Sequence, residues 1–115
     1  MDLNCLSDDD QIEHLLSHGT QFIIYIENPS EMVQLAAVRQ FGHAIQHIKN
    51  PSETIQLAAV RQNGWAVRWI ENPSEMVQLA AVQSDPRAVI CIENPSSELR
   101  AYAELLNLNY IENEV

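Results

Sequence analysis

The chain is short of most residues on which cofactor and metal chemistry is built. Cysteine occurs only at Cys5 and Cys91, a pair with neither a metal-ligand spacing nor a disulfide framework. Two free thiols in a reducing cytoplasm are expected. With 3 glycines in all, no glycine-rich phosphate loop can be assembled. Aromatic residues make up 6%, so a core must be mostly aliphatic. Lys and Arg number 6 against 16 Asp and Glu, a net charge of -10. That balance argues against direct binding to nucleic acid or to an anionic membrane. It leaves a basic protein surface, including a groove that normally holds DNA or RNA, as a partner. No run reaches the roughly 18 apolar residues of a membrane span. Met1-Asp2-Leu3-Asn4-Cys5 places no positive charge ahead of an apolar run, so no signal peptide is read there and the expected location is cytoplasmic. The 115 residues suit one domain.

What is present is a repeat. Asn-Pro-Ser begins at Asn28, Asn50, Asn72 and Asn94, every 22 residues. Residues 31–40 read EMVQLAAVRQ, 53–62 read ETIQLAAVRQ and 75–82 read EMVQLAAV. Each unit reads as two short helices. Asn28 is placed to cap the first, with Pro29 at N1 and Glu31 at N3 as a capping box, and the same holds from Asn50 and Asn72. Val33, Leu35, Ala36, Ala37 and Val38 supply an apolar stripe at helical spacing. The first helix should stop near Gly42 and Gly64. In the third unit Asp85-Pro86 does the work of Asn63-Gly64, ending one helix and starting the next.

The second helix has about seven residues, roughly 10 Å. Isolated helices this short are marginal in water, so the units must stack. The expected fold is an all-α solenoid of tandem 22-residue helix-turn-helix repeats in a single domain. Residues 1–27 form an N-terminal cap repeat, 28–49, 50–71 and 72–93 are full repeats, and 94–115 form a C-terminal cap repeat. Five layers would span about 50 Å. Ser97 reads as an insertion before Glu98. Tyr110-Ile111-Glu112-Asn113 echoes Tyr25-Ile26-Glu27-Asn28, which shortens the last unit.

The phrases QLAAVRQFGHAIQHI and QLAAVRQNGWAVRWI resemble short bihelical repeats with a Leu-Ala-Ala-Val…Gln-x-Gly core. Such repeats are found in poorly characterised proteins of bacteria, bacteriophages and large viruses. The resemblance covers residues 28–96 well and both ends weakly, and Pro86 departs from the family glycine. It implies a helical solenoid of viral or mobile-element origin, acting in the host cytoplasm. It transfers no catalytic residue.

Positions that vary inside the constant frame are free to serve a partner. In the second helix they read His43, Gln46, His47, then Trp65, Arg68, Trp69, then Arg87, Ile90, Cys91. The divergent first unit gives Gln21, Ile24, Tyr25. Spacings of three and four put each set on one helical face, and stacking joins the sets into a strip. Trp, Tyr and Arg are the residue types enriched at binding hot spots. A second candidate surface is acidic. Residues 1–27 hold six acids and no base, while 28–71 are nearly neutral. Asp8, Asp9, Asp10 and Glu13 therefore form an acidic end that either engages a basic groove or keeps a terminal cap soluble.

Histidines His14 and His18, and His43 and His47, are four apart, a zinc-capable spacing. Leu15 and Ala44 stand where a metalloprotease helix needs Glu, and no metal site or cofactor is expected. Glu31, Glu53 and Glu75 are accounted for as helix caps, Ser30, Ser52 and Ser74 as first-turn residues, and no nucleophile triad shows a recognisable context. The reading is a non-enzymatic protein-binding module. Small size and the resemblance extend it, by analogy, to a phage inhibitor of a host defence nuclease or complex, of the anti-CRISPR kind. Two alternatives are a self-assembling structural repeat, dimerising through its edges or through Trp65 and Trp69, and a small metal-binding protein or enzyme.

Overall fold

Serine, not asparagine, starts the long helices. In the computed structural model, which describes residues 2–114 and the side chains of 2–107, the hydroxyls of Ser30, Ser52, Ser74 and Ser96 accept from the backbone N–H groups of Val33, Ile55, Val77 and Leu99 at 3.1–3.3 Å. The expected caps Asn28, Asn50 and Asn72 lie two residues earlier. With Asn94 they adopt φ of 47–53°, the left-handed region that asparagine tolerates because its short side chain suits local polar contacts. The expected capping box is therefore replaced. Pro29 precedes the cap, and its carbonyl accepts from Gln34 Nε2 at 2.8 Å, a bond repeated from Gln56 to Pro51 and from Gln78 to Pro73. The first-turn acid reaches the next unit instead. Ser52 Oγ donates to Glu31, Ser74 Oγ to Glu53 and Ser30 Oγ to Asp8, at 2.8–3.0 Å. Each of these serines thus caps its own helix and donates to the helix before it. Ser52→Ala should cost about 0.5–2 kcal/mol, as cap deletions do, read as a lower thermal unfolding midpoint.

The long helices are α1 (Asp8–His18), α2 (Glu31–Gln40), α3 (Glu53–Gln62), α4 (Glu75–Ser84) and α5 (Ser97–Glu114). The short ones are 3₁₀ helices: η1 (Leu3–Cys5), η2 (Thr20–Tyr25), η3 (Gly42–His47), η4 (Gly64–Trp69) and η5 (Pro86–Cys91). Among the described residues there is no strand. The second helix of each full unit is thus not the expected seven-residue α-helix. A six-residue segment closes more i→i+3 than i→i+4 hydrogen bonds, and side chains three apart eclipse along it. The exchange of Asn63-Gly64 for Asp85-Pro86 is as the sequence predicts. Asn63 and Asp85 side chains accept from Trp65 N and Arg87 N at 3.0 Å, and Pro86 opens η5.

Each long helix packs on the next in chain order, and η2 to η5 pack on one another in the same order. Val33, Ala37 and Val38 of α2 are fully buried, as are Ile55, Ala59 and Val60 of α3 and Val77, Ala81 and Val82 of α4. The short helices answer with Ala44 and Ile45, then Ala66 and Val67, each followed by a buried isoleucine at its C-cap, Ile48 and Ile70. Leu35 and Ala36, expected in the stripe, are only half-buried. The extents are 49 × 31 × 16 Å.

The two ends are built differently. At the first, Leu3 is buried, Gln11 Nε2 donates to its carbonyl at 2.8 Å, and Asn4 accepts from Glu27 N at 2.7 Å. At the other, Leu99 and Ala103 are buried in the places of Val77 and Ala81. Ser97 is therefore no insertion, since it stands where Glu31, Glu53 and Glu75 stand and the register is kept. The last unit also differs from the expected pair of helices, because α5 is one helix of 18 residues. The side chains of Tyr110 to Asn113, which echo Tyr25 to Asn28, lie outside the described residues.

Candidate interaction surface on the short helices

The variable positions of the second helices gather on one edge because η2 to η5 stack side by side. Their inward residues are buried, and Gln21, Ile24, Tyr25, Gln46, Arg68, Trp69, Arg87 and Ile90 are exposed. Ile90 is 77% and Tyr25 61% exposed, and it is the gathering of such side chains on one edge that marks a candidate surface. His43, His47, Trp65 and Cys91 are half-buried.

The two tryptophans are tied in opposite directions. Trp65 Nε1 donates to Asp85 Oδ2 at 2.8 Å, toward the following unit. Trp69 Nε1 donates to His43 Nδ1 at 2.8 Å, toward the preceding one. This bond places the proton of neutral His43 on Nε2. The Arg68 guanidinium carbon lies 5.2 Å from the centroid of the Trp69 ring, a cation–π distance. Phe41 stands 5.5 Å from the His43 ring and is itself exposed. Sequence reasoning missed Phe41, because it falls at a helix junction rather than within the second helix. Trp65 is thus a strut as well as a surface group, and Trp69 with Arg68 is the more open pair.

Asp85 is the electrostatic centre of this edge. Arg87 grips it through Nε and NH2 at 3.0 and 2.9 Å. Its pKa is lowered, first by the Arg87 side chain and further by the N–H of Arg87 and of Trp65, against the opposing effect of burial. A lowered folded-state pKa gives stability that is present above the unfolded value and is lost as pH falls through the folded one. Arg87→Ala should therefore destabilise at neutral pH. The gap to the wild type in thermal midpoint should close on acidification below about pH 4, where the unfolded carboxyl also protonates. A gap that is constant with pH would refute this role.

The acidic candidates lie elsewhere, on α1. Asp8, Asp9 and Asp10 fill its first turn, where carboxylates oppose the helix N-terminal partial charge. Asp8 also holds the Ser30 hydroxyl, and Asp8, Asp9, Asp10 and Glu13 are all exposed. His14 and His18 stack with centroids 4.3 Å apart. Among the described residues no group of three or more His, Cys, Asp or Glu is placed to hold a metal, and no helix is long and apolar enough to cross a membrane.

The chain matches no family model, no curated protein and no solved structure. The repeat resemblance therefore rests on the Leu-Ala-Ala-Val phrases alone, and the surface must be read from its own geometry.

Two kinds of hollow adjoin the edge. One is an apolar cleft of about 440 Å³, where Trp65, Pro86 and Ile90 face Arg100 and Ala103 of α5. The others are three polar clefts of about 630, 470 and 500 Å³, one at each junction between successive Asn-Pro turns.

Proposed function

We propose that the chain is a solenoid of tandem 22-residue repeats and that it works as a non-enzymatic protein-binding module. One observation carries the reading: Ile24, Tyr25, Trp69 and Ile90 are large, exposed and apolar, and share one edge at positions that vary inside an otherwise constant frame. Burial in the stack accounts for the constant Val-Ala-Val positions; it does not account for large apolar side chains at these four, although Trp69 also donates to His43. Arg68 and Trp69 form the centre of the surface, the type of pair that dominates binding energy.

The narrower form is an inhibitor that occupies a basic nucleic-acid groove of a host enzyme. It rests on the exposed Asp9, Asp10 and Glu13 at one end and on the repeat resemblance.

The test is affinity capture with immobilised protein and two variants, Ile90→Asp and Arg68→Glu. Both residues are exposed, so the variants should keep the helical circular dichroism and thermal midpoint of the wild type. Proteins held by the wild type should be lost from both, with at least about a tenfold drop in affinity for a hot-spot change. Identical captures on wild type and variants would remove the edge from the reading.

A further inference from the structure

The three polar clefts form a track. The first and second share Ile48, and the second and third share Ile70, Glu71 and Asn72. Equivalent groups recur along it. A carboxamide of the Asn-Pro turn opens each cleft (Asn28, Asn50, Asn72), and a glutamine of the long helix lines it (Gln34, Gln56, Gln78). The opposite wall is the last residue of a short helix: His47, Trp69, then Cys91. Among the described residues, the side-chain amides of Asn28, Asn50 and Asn72 take part in no hydrogen bond. Each amide offers a donor and an acceptor, the pair needed to hold a peptide backbone.

The period of the track selects the shape of its ligand. Stacked helices stand about 8–10 Å apart. A polyproline II segment returns the same face every three residues, after about 9 Å. A β-strand returns it after about 6.6 Å and an α-helix after 5.4 Å, the usual pitch, so neither stays in phase with the units. Aromatic walls are also how polyproline II segments are gripped. Glu27, Glu71 and Glu93 line the track with Lys49 and Arg68, an excess of one carboxylate that suits a basic ligand.

Resting on the protein-binding reading, we propose that this track binds a proline-rich, basic segment in the polyproline II conformation, three residues to each unit. The asparagines hold its backbone, and Trp69 packs on a proline ring.

The test is fluorescence anisotropy of a labelled peptide of four Pro-Pro-Lys triplets, beside one of four Gly-Ser-Lys triplets with equal length and charge. The first should bind at least about tenfold more tightly, since its preformed helix has less entropy to lose. Asn50→Gly with Asn72→Gly removes two amides while suiting the left-handed backbone. It should weaken the proline peptide by about fivefold or more, the scale of one lost hydrogen bond, at an unchanged thermal midpoint. Trp69→Ala should weaken it likewise. Equal binding of the two peptides, binding of neither, or unaltered binding by the glycine variant would each overturn the proposal. If capture of protein partners still depends on Ile90, which lies outside the track, the broader reading stands when this one falls.

Discussion

Gly64→Ala is expected to lower stability by about 1–3 kcal/mol, the cost of overfilling a packed contact. Its sign makes it informative. Glycine to alanine in a helical segment with negative φ ordinarily stabilises, by about 0.4–1 kcal/mol, through the unfolded chain. At Gly64 a Cβ would meet the Ala81 carbonyl oxygen at 2.5 Å and Asp85 N at 3.1 Å. Both are backbone atoms at the end of α4, and the two are bonded to each other at 2.9 Å, so no flexible side chain can yield. Relief requires η4 and α4 to separate, which would stretch the Trp65 to Asp85 bond. Gly42 faces the same collision with the Ala59 carbonyl at 2.6 Å and should respond in the same direction. The thermal midpoint should fall by about 4 °C for each kcal/mol in a domain of this size. A raised midpoint would mean that the contact between successive units is looser than these distances.

That contact also explains what the sequence concealed. The helical class, the boundary at Asn63 and Asp85 and the buried Val-Ala-Val set were legible, because apolar spacing and turn residues act locally. The start of the long helices was not. Asn and Ser are both strong caps two residues apart, and only the left-handed backbone at Asn28 hands the role to Ser30. The partner of Glu31 was hidden for a different reason. A capping box is a contact within one helix, whereas Ser52 belongs to the following unit, and periodicity does not tell which of the two wins. Pro86 looked like a mere substitute for glycine. In the structure it opens η5 and lines a cleft against α5. On the candidate surface, variation among units pointed to the short helices, where Gln46, Arg68, Trp69, Arg87 and Ile90 are exposed while His43, His47, Trp65 and Cys91 are half-buried. The ties from Trp65 to Asp85 and from Trp69 to His43 were not legible, because they cross between units at separations of 20 and 26 residues.

Ile55→Ala should be the most damaging of the single changes, at about 2–5 kcal/mol. Ile55 is fully buried in α3, the middle long helix, and its neighbours Ala59 and Val60 are fully buried as well. Alanine there leaves a cavity inside a helix that packs on both α2 and α4, so closing the gap would disturb the packing of α3 against its neighbours. Leu99 occupies the equivalent place in α5 but is 9% exposed, with a neighbouring long helix on one side among the described residues. Leu99→Ala should cost less. If each unit is coupled only to its neighbours, as a solenoid requires, the two variants also differ in kind. Native-state hydrogen exchange should show Ile55→Ala lowering protection through α2, α3 and α4 together. Leu99→Ala should loosen α5 and η5 while α2 keeps wild-type protection, because a defect at the end of a stack frays it and one at the centre divides it. Uniform loss of protection in both variants would point to one indivisible cooperative unit instead of a row of coupled repeats.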